Sequence, residues 1–151
     1  MFKSLYEKIV GQLSAADIEA DTRDAAVRLA TAVLMVDVAL VDSSFDETEF
    51  DRMLQLVKEH FGLGTQQAAE LINDANAKAD ELVSVHEFTQ LLHKHLSEDE
   101  KARIVSLLWQ IAYADGQLDK YEDSLVLKIS DLLYVSRGRV MRLKHDAQPI
   151  M

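Results

Sequence analysis

The sequence predicts an all-α protein built from two pseudo-equivalent helical halves that share one core. Three observations carry the prediction. The single proline stands at position 149 and only five glycines occur in 151 residues, so little in the chain breaks a helix interior. No stretch alternates apolar and polar residues over a useful strand length. An eleven-residue pattern occurs twice: Ala39-Leu40-Val41-Asp42-Ser43-Ser44-Phe45-Asp46-Glu47-Thr48-Glu49, then Ala112-Tyr113-Ala114-Asp115-Gly116-Gln117-Leu118-Asp119-Lys120-Tyr121-Glu122. Ala39 and Ala112, like Glu49 and Glu122, are 73 positions apart. A fixed offset of this kind marks two similar structural units.

Leu5, Ile9, Val10 and Leu13 recur at helical spacing and predict a short opening helix, with Gly11 fraying its end. Residues 14–21 read as a turn or a short helix. A long helix follows from about Thr22 to Leu40. Val27, Ala30, Thr31, Leu34, Val38 and Val41 share one face, while Leu29, Val33, Val36 and Leu40 cover much of the rest. A helix apolar on most sides is central and buried. The next helix runs from Asp46 to about Phe61 on the stripe Phe50, Met53, Leu54, Val57 and Phe61. Gly62-Leu63-Gly64 ends it, glycine taking the left-handed cap conformation. Thr65 caps a short helix through Leu71 and Ile72. The polar, alanine-rich stretch 73–80 reads as the boundary between the halves.

A helix carrying Leu82, Val85, Phe88, Leu91 and Leu92 opens the approach to the second half. Ser97-Glu98-Asp99-Glu100 is a capping box before the apolar run Ile104, Leu107, Leu108, Ile111 and Ala112. That helix is the counterpart of the first central one. Tyr121 to Leu133 follows, with Leu125, Val126, Ile129, Leu132 and Leu133 inward. Ser136 opens a final basic helix, Arg137 to Lys144. The whole reads as one domain over 1–151, with repeats at about 24–72 and 97–145.

The net charge is −10, which repels phosphate backbones and disfavours nucleic acid as a partner. Divalent cations and basic protein surfaces are the partners such a surface attracts. No cysteine occurs, so disulfides, thiolate metal sites and a cysteine nucleophile are excluded. No segment reaches the roughly 18 uninterrupted apolar residues of a membrane span. The N-terminus lacks the apolar region of a signal peptide, so a soluble cytoplasmic protein is expected.

Six acids in the two turns are the candidate functional residues. Asp46 and Asp119 suit the N-cap position, and Glu49 and Glu122 stand at the reciprocal capping-box position. Asp42 and Asp115 follow long helices near their negative ends, where an anion is unfavourable by ~0.3–1 kcal/mol. Each therefore needs hydrogen bonds from the next helix, or a cation. Calcium and magnesium take such oxygen ligands. The spacing is not that of an EF-hand, since Asp115-Gly116-Gln117-Leu118-Asp119 puts glycine second and a hydrophobe fourth. Gly116 allows the second turn to fold back, so Asp115, Asp119 and Glu122 are favoured over Asp42, Asp46 and Glu49. Asp37 on the first long helix matches Gln110 by the same offset. It is either a satisfied or partly exposed polar group, or a further acid of the first cluster. His60, His86, His93, His95 and His145 form no zinc signature, and no phosphate loop or catalytic triad pattern appears. Trp109 is expected in the core or at an interface.

At Ile111 to Glu122, at Asp131-Leu132-Leu133-Tyr134-Val135 and at Val41 to Glu49, the chain resembles the TerB-like family, the tellurite-resistance TerB proteins and their relatives. The resemblance spans roughly residues 20–146. It implies about seven helices in two pseudo-repeats, an acidic patch that binds divalent metal, and a role in tellurite or general stress response. Ser43 stands where the second turn has Gly116, so the two turns are expected to differ in geometry. Tellurite is an oxyanion, and a carboxylate cluster on a −10 chain repels it. The expectation is a non-enzymatic module that binds a divalent cation, calcium or magnesium, and a protein partner. A purely structural interaction module is the alternative. A metal-dependent hydrolase is disfavoured, because helical carboxylate sites of that kind combine Glu with Glu-x-x-His pairs and none occurs here.

Overall fold

The computed structural model describes residues 15–41, 47–79, 85–114 and 118–148, with side chains from residue 22 onward. Among them are seven helices and no strand: α1 (Ala15–Leu40), α2 (Glu47–Phe61), α3 (Thr65–Ala79), α4 (Val85–His95), α5 (Glu98–Ala112), α6 (Lys120–Leu132) and α7 (Arg137–Ala147). The predicted opening helix over 5–13 lies outside the described residues.

α1 is the axis of the fold. Leu29 to Val36, Val38 and Ala39 are all buried, on every side of the helix. It touches α2, α3, α4, α5 and α6. This all-round burial follows from the two apolar faces that the sequence carries. α1 starts at Ala15 and not at Thr22, so residues 15–21 are neither a turn nor a separate element. Ala, Ile and Glu favour helix there, and no glycine or proline interrupts them.

The second departure is α3. It continues to Ala79, through the stretch read as a boundary. Ala68, Ile72 and Ala75 lie one helical turn apart and are buried. These small residues let α3 lie close against α1, so tertiary packing turns a weakly apolar segment into a helix face. α2 ends as predicted, with Gly62 at φ +64° and the Leu63 N–H returning to the Lys58 carbonyl. α7 extends to Ala147, three residues beyond the predicted end.

The 73-residue offset is visible in the packing. α1, α2 and α3 correspond to α5, α6 and α7, and α4 is the additional element, packed on α1 and α6. In each half the first helix packs on the second and on the third. The two central helices, α1 and α5, pack on each other. Leu34 and its counterpart Leu107 are both buried. Trp109 is fully buried on α5, and its Nε1–H donates to the Val140 carbonyl of α7 at 3.2 Å.

Candidate functional site

The acidic turns join the first helix of each half to the second. Asp42, Asp46 and Asp115 lie outside the described residues. Asp119, Glu122 and Glu49 are described, and each is held by its helix start.

Asp119 is the N-cap of α6. Its backbone is extended (φ −76°, ψ 146°), and Oδ1 accepts from the Tyr121 N–H at 2.6 Å. This is the bond expected of an aspartate at that position. Compare the full capping box on α5. There the Ser97 side chain accepts from the Glu100 N–H at 3.2 Å, and the Ser97 N–H donates to Glu100 Oε1 at 2.9 Å.

Glu49 and Glu122 occupy equivalent places in the first turns of α2 and α6. They are 6% and 3% exposed, and both are engaged by neighbours. Their burial is the feature that spacing alone did not disclose. Carboxylates are rarely so buried unless partnered, because removal from water penalises the charge. Each acidic turn thus has an inward-held glutamate one turn into its second helix.

As a donor set for a hard cation, carboxylate oxygens are the right chemistry. Two features of the described half work against tight binding. One Asp119 oxygen is committed to the cap, and the N-terminus of α6 carries a positive partial charge. Among the described residues, no three His, Asp or Glu side chains form a metal cage.

Asp37 and Gln110, matched by the offset, part company in the structure. Gln110 accepts from Arg52 Nη2 at 3.2 Å and donates to Ser106. Asp37 is half-buried on α1, and burial pushes its carboxyl up to about 6. Burial also pushes the His60 imidazole down, aided by the nearby Arg103 guanidinium.

A second polar cluster has no forewarning in the sequence. Lys101 of α5 is 1% exposed. Its Nζ lies 2.8 Å from Glu98 Oε1 and 2.9 Å from His93 Nδ1 of α4. The His93 ring lies 4.6 Å from the Tyr134 ring, tilted at 44°. Tyr134 follows α6 in the left-handed conformation, at φ +62°. The chain shows no mark of this arrangement, since Lys101 falls in an ordinary charged first turn and the left-handed cap position ordinarily selects glycine.

No helix among the described residues is long and apolar enough to cross a membrane. No curated protein matches the chain. The crystal structure of a protein of unknown function from Porphyromonas gingivalis W83 shares the fold, with a TM-score of 0.62 at 20% identity, covering 82% of this chain and 88% of that one. The family model for tellurite resistance protein TerB matches residues 28–145. That span takes in α2 to α7, most of α1 and both acidic turns, and on it the chain belongs to the TerB family.

Proposed function

We propose that this chain is a non-enzymatic stress-response module of the cytoplasm, of the tellurite-resistance kind. Its acidic turns bind a divalent cation, calcium or magnesium, and present an acidic face to a protein partner. The observation that supports this reading is the matched pair Glu49 and Glu122. A buried carboxylate recurs at the same place in both halves, beside the aspartates of each turn. Surface acids serving only for solubility have no need of such burial.

The favoured cation ligands are Asp115, Asp119 and Glu122, with Asp42, Asp46 and Glu49 as the second set. Binding is weak, with water completing the coordination, because Asp119 is partly committed to its cap. The same cap favours a second reading, in which the module is purely structural and its acids are helix caps and surface. One experiment separates the two. Chelator-treated protein is melted with and without millimolar Ca²⁺ or Mg²⁺ at matched ionic strength, as wild type and as Asp115→Asn. The cation reading expects a stabilisation of ~2.7 kcal/mol at about 100 times the dissociation constant, and most of it lost in the variant. A wild type that gains nothing from either ion leaves the structural reading standing.

A further inference from the structure

We propose that the cleft between the end of α4 and the end of α6 binds a small anion carrying a planar ring. The cleft has a volume of about 370 Å³ and is lined by His86, Gln90, His93, Lys94, Leu132 and Tyr134. That volume suits one ring and its charged group. In a chain of net charge −10, these walls hold no carboxylate. Asp131, next in the chain to Leu132, has both oxygens within 3.1 Å of Arg137 Nη2.

Three features equip the cleft for this ligand. Lys101 fixes the donor state of His93. An ammonium only donates, so Nδ1 of His93 accepts and the ring proton sits on Nε2. Glu98 at 2.8 Å keeps Lys101 charged behind it. Lys94 supplies a cation, and Gln90 an amide donor. Tyr134 supplies the flat surface. Its ring leans on His93 yet the residue is 70% exposed.

The placement of Tyr134 is the sharpest sign of a site. The Val135 N–H bonds the Ser130 carbonyl and the Tyr134 N–H bonds the Asp131 carbonyl, which together form a Schellman cap. Position C′ of that motif favours glycine, and any other residue there is strained. Folding gains nothing from a tyrosine at this place, whereas an exposed ring over a donor-lined cleft gains a stacking partner. Lys94 and His93 also complement the negative end of α4, which accounts for their charge but not for the tyrosine.

The inference is independent of the acidic turns. Its test is titration by NMR, following the imidazole signals of His86 and His93 and the ring signals of Tyr134. The probes are AMP and benzoate, two sources of a ring-bearing anion, with inorganic phosphate and adenosine as half-ligands. At least one ring anion is expected to saturate at millimolar concentration or below, with both half-ligands about tenfold weaker or more. Tyr134→Gly should weaken binding by about tenfold or more without lowering the melting temperature, since glycine relieves the cap. Lys94→Gln should weaken the anion and leave adenosine unchanged. The proposal is overturned if neither ring anion gives saturable shifts, if phosphate alone binds as tightly as AMP, or if Tyr134→Gly retains full affinity.

Discussion

Asp37 shows how a single side chain can be read in both directions, from sequence and from structure. An acid on an apolar helix is conspicuous in the sequence, but its protonation is decided by burial, which pushes its carboxyl from an ordinary 3.8 to about 6. The folded state therefore binds a proton over a range where the unfolded chain has released it. Stability falls as pH rises between these two values and stays low above them. Asp37→Asn should stabilise the protein by ~1–3 kcal/mol at pH 7.5 and by almost nothing at pH 3.5, as read from denaturant midpoints at the two pH values. An equal gain at both would show that charge is not the cause. The Asp119 cap was legible in the same way, because its bond is to its own helix start. Glu49 and Glu122 were legible as acids at capping positions but not as buried groups. Lys101 and Tyr134 were not legible at all, since their surroundings are made by α4, a separate element.

At the scale of the element, the helix starts were the most readable parts and the helix extents the least. Ser97 and Ser136 cap α5 and α7 where the sequence placed them. α1 and α3 overran their predicted limits, because packing against neighbours rewards helix in segments whose own pattern is weak. The cap of α6 can be tested directly. Asp119→Ala should cost ~0.5–2 kcal/mol in the absence of any divalent ion, measured by urea denaturation in chelator. A midpoint unchanged by the substitution would remove the Oδ1 to Tyr121 bond from the account of α6. With the ion tests above, this variant also separates the two roles of Asp119, since a cap is lost with or without a cation.

For the whole molecule, the question is whether two repeats melt as one. α1 and α5 pack together, and α4 lies on both α1 and α6, so neither half keeps a complete core without the other. One cooperative transition is expected. The only tryptophan, Trp109, is fully buried between α5 and α7 and reports on that core. Its emission should shift to the red over the same urea range in which far-UV circular dichroism is lost. Separate midpoints for the two signals would mean that the halves unfold independently. The repeat itself was open to inspection in the chain, whereas the role of α4 as the tie between halves was not, since it has no counterpart in the offset.

The last helix has a further consequence for the way this acidic chain stays together. Residues 137–148 carry Arg137, Arg139, Arg142 and Lys144 against Asp146 alone, so the rest of the chain is three charges more acidic than the −10 of the whole. Arg139 pairs with Asp99 of α5 at 2.8 Å, and Arg137 and Lys144 pair with Asp131 and Asp123 of α6 at 3.0 and 2.7 Å. The α7 segment is thus a tethered polycation, a counter-ion that the polyanion carries within its own length. Its two kinds of attachment respond oppositely to salt. The exposed ion pairs fade as the Debye length shrinks to ~3 Å at 1 M, while the contacts of Val140 and Trp109 with the core do not. In dilute buffer charge holds the helix down along its length; in brine it hangs from its apolar anchor.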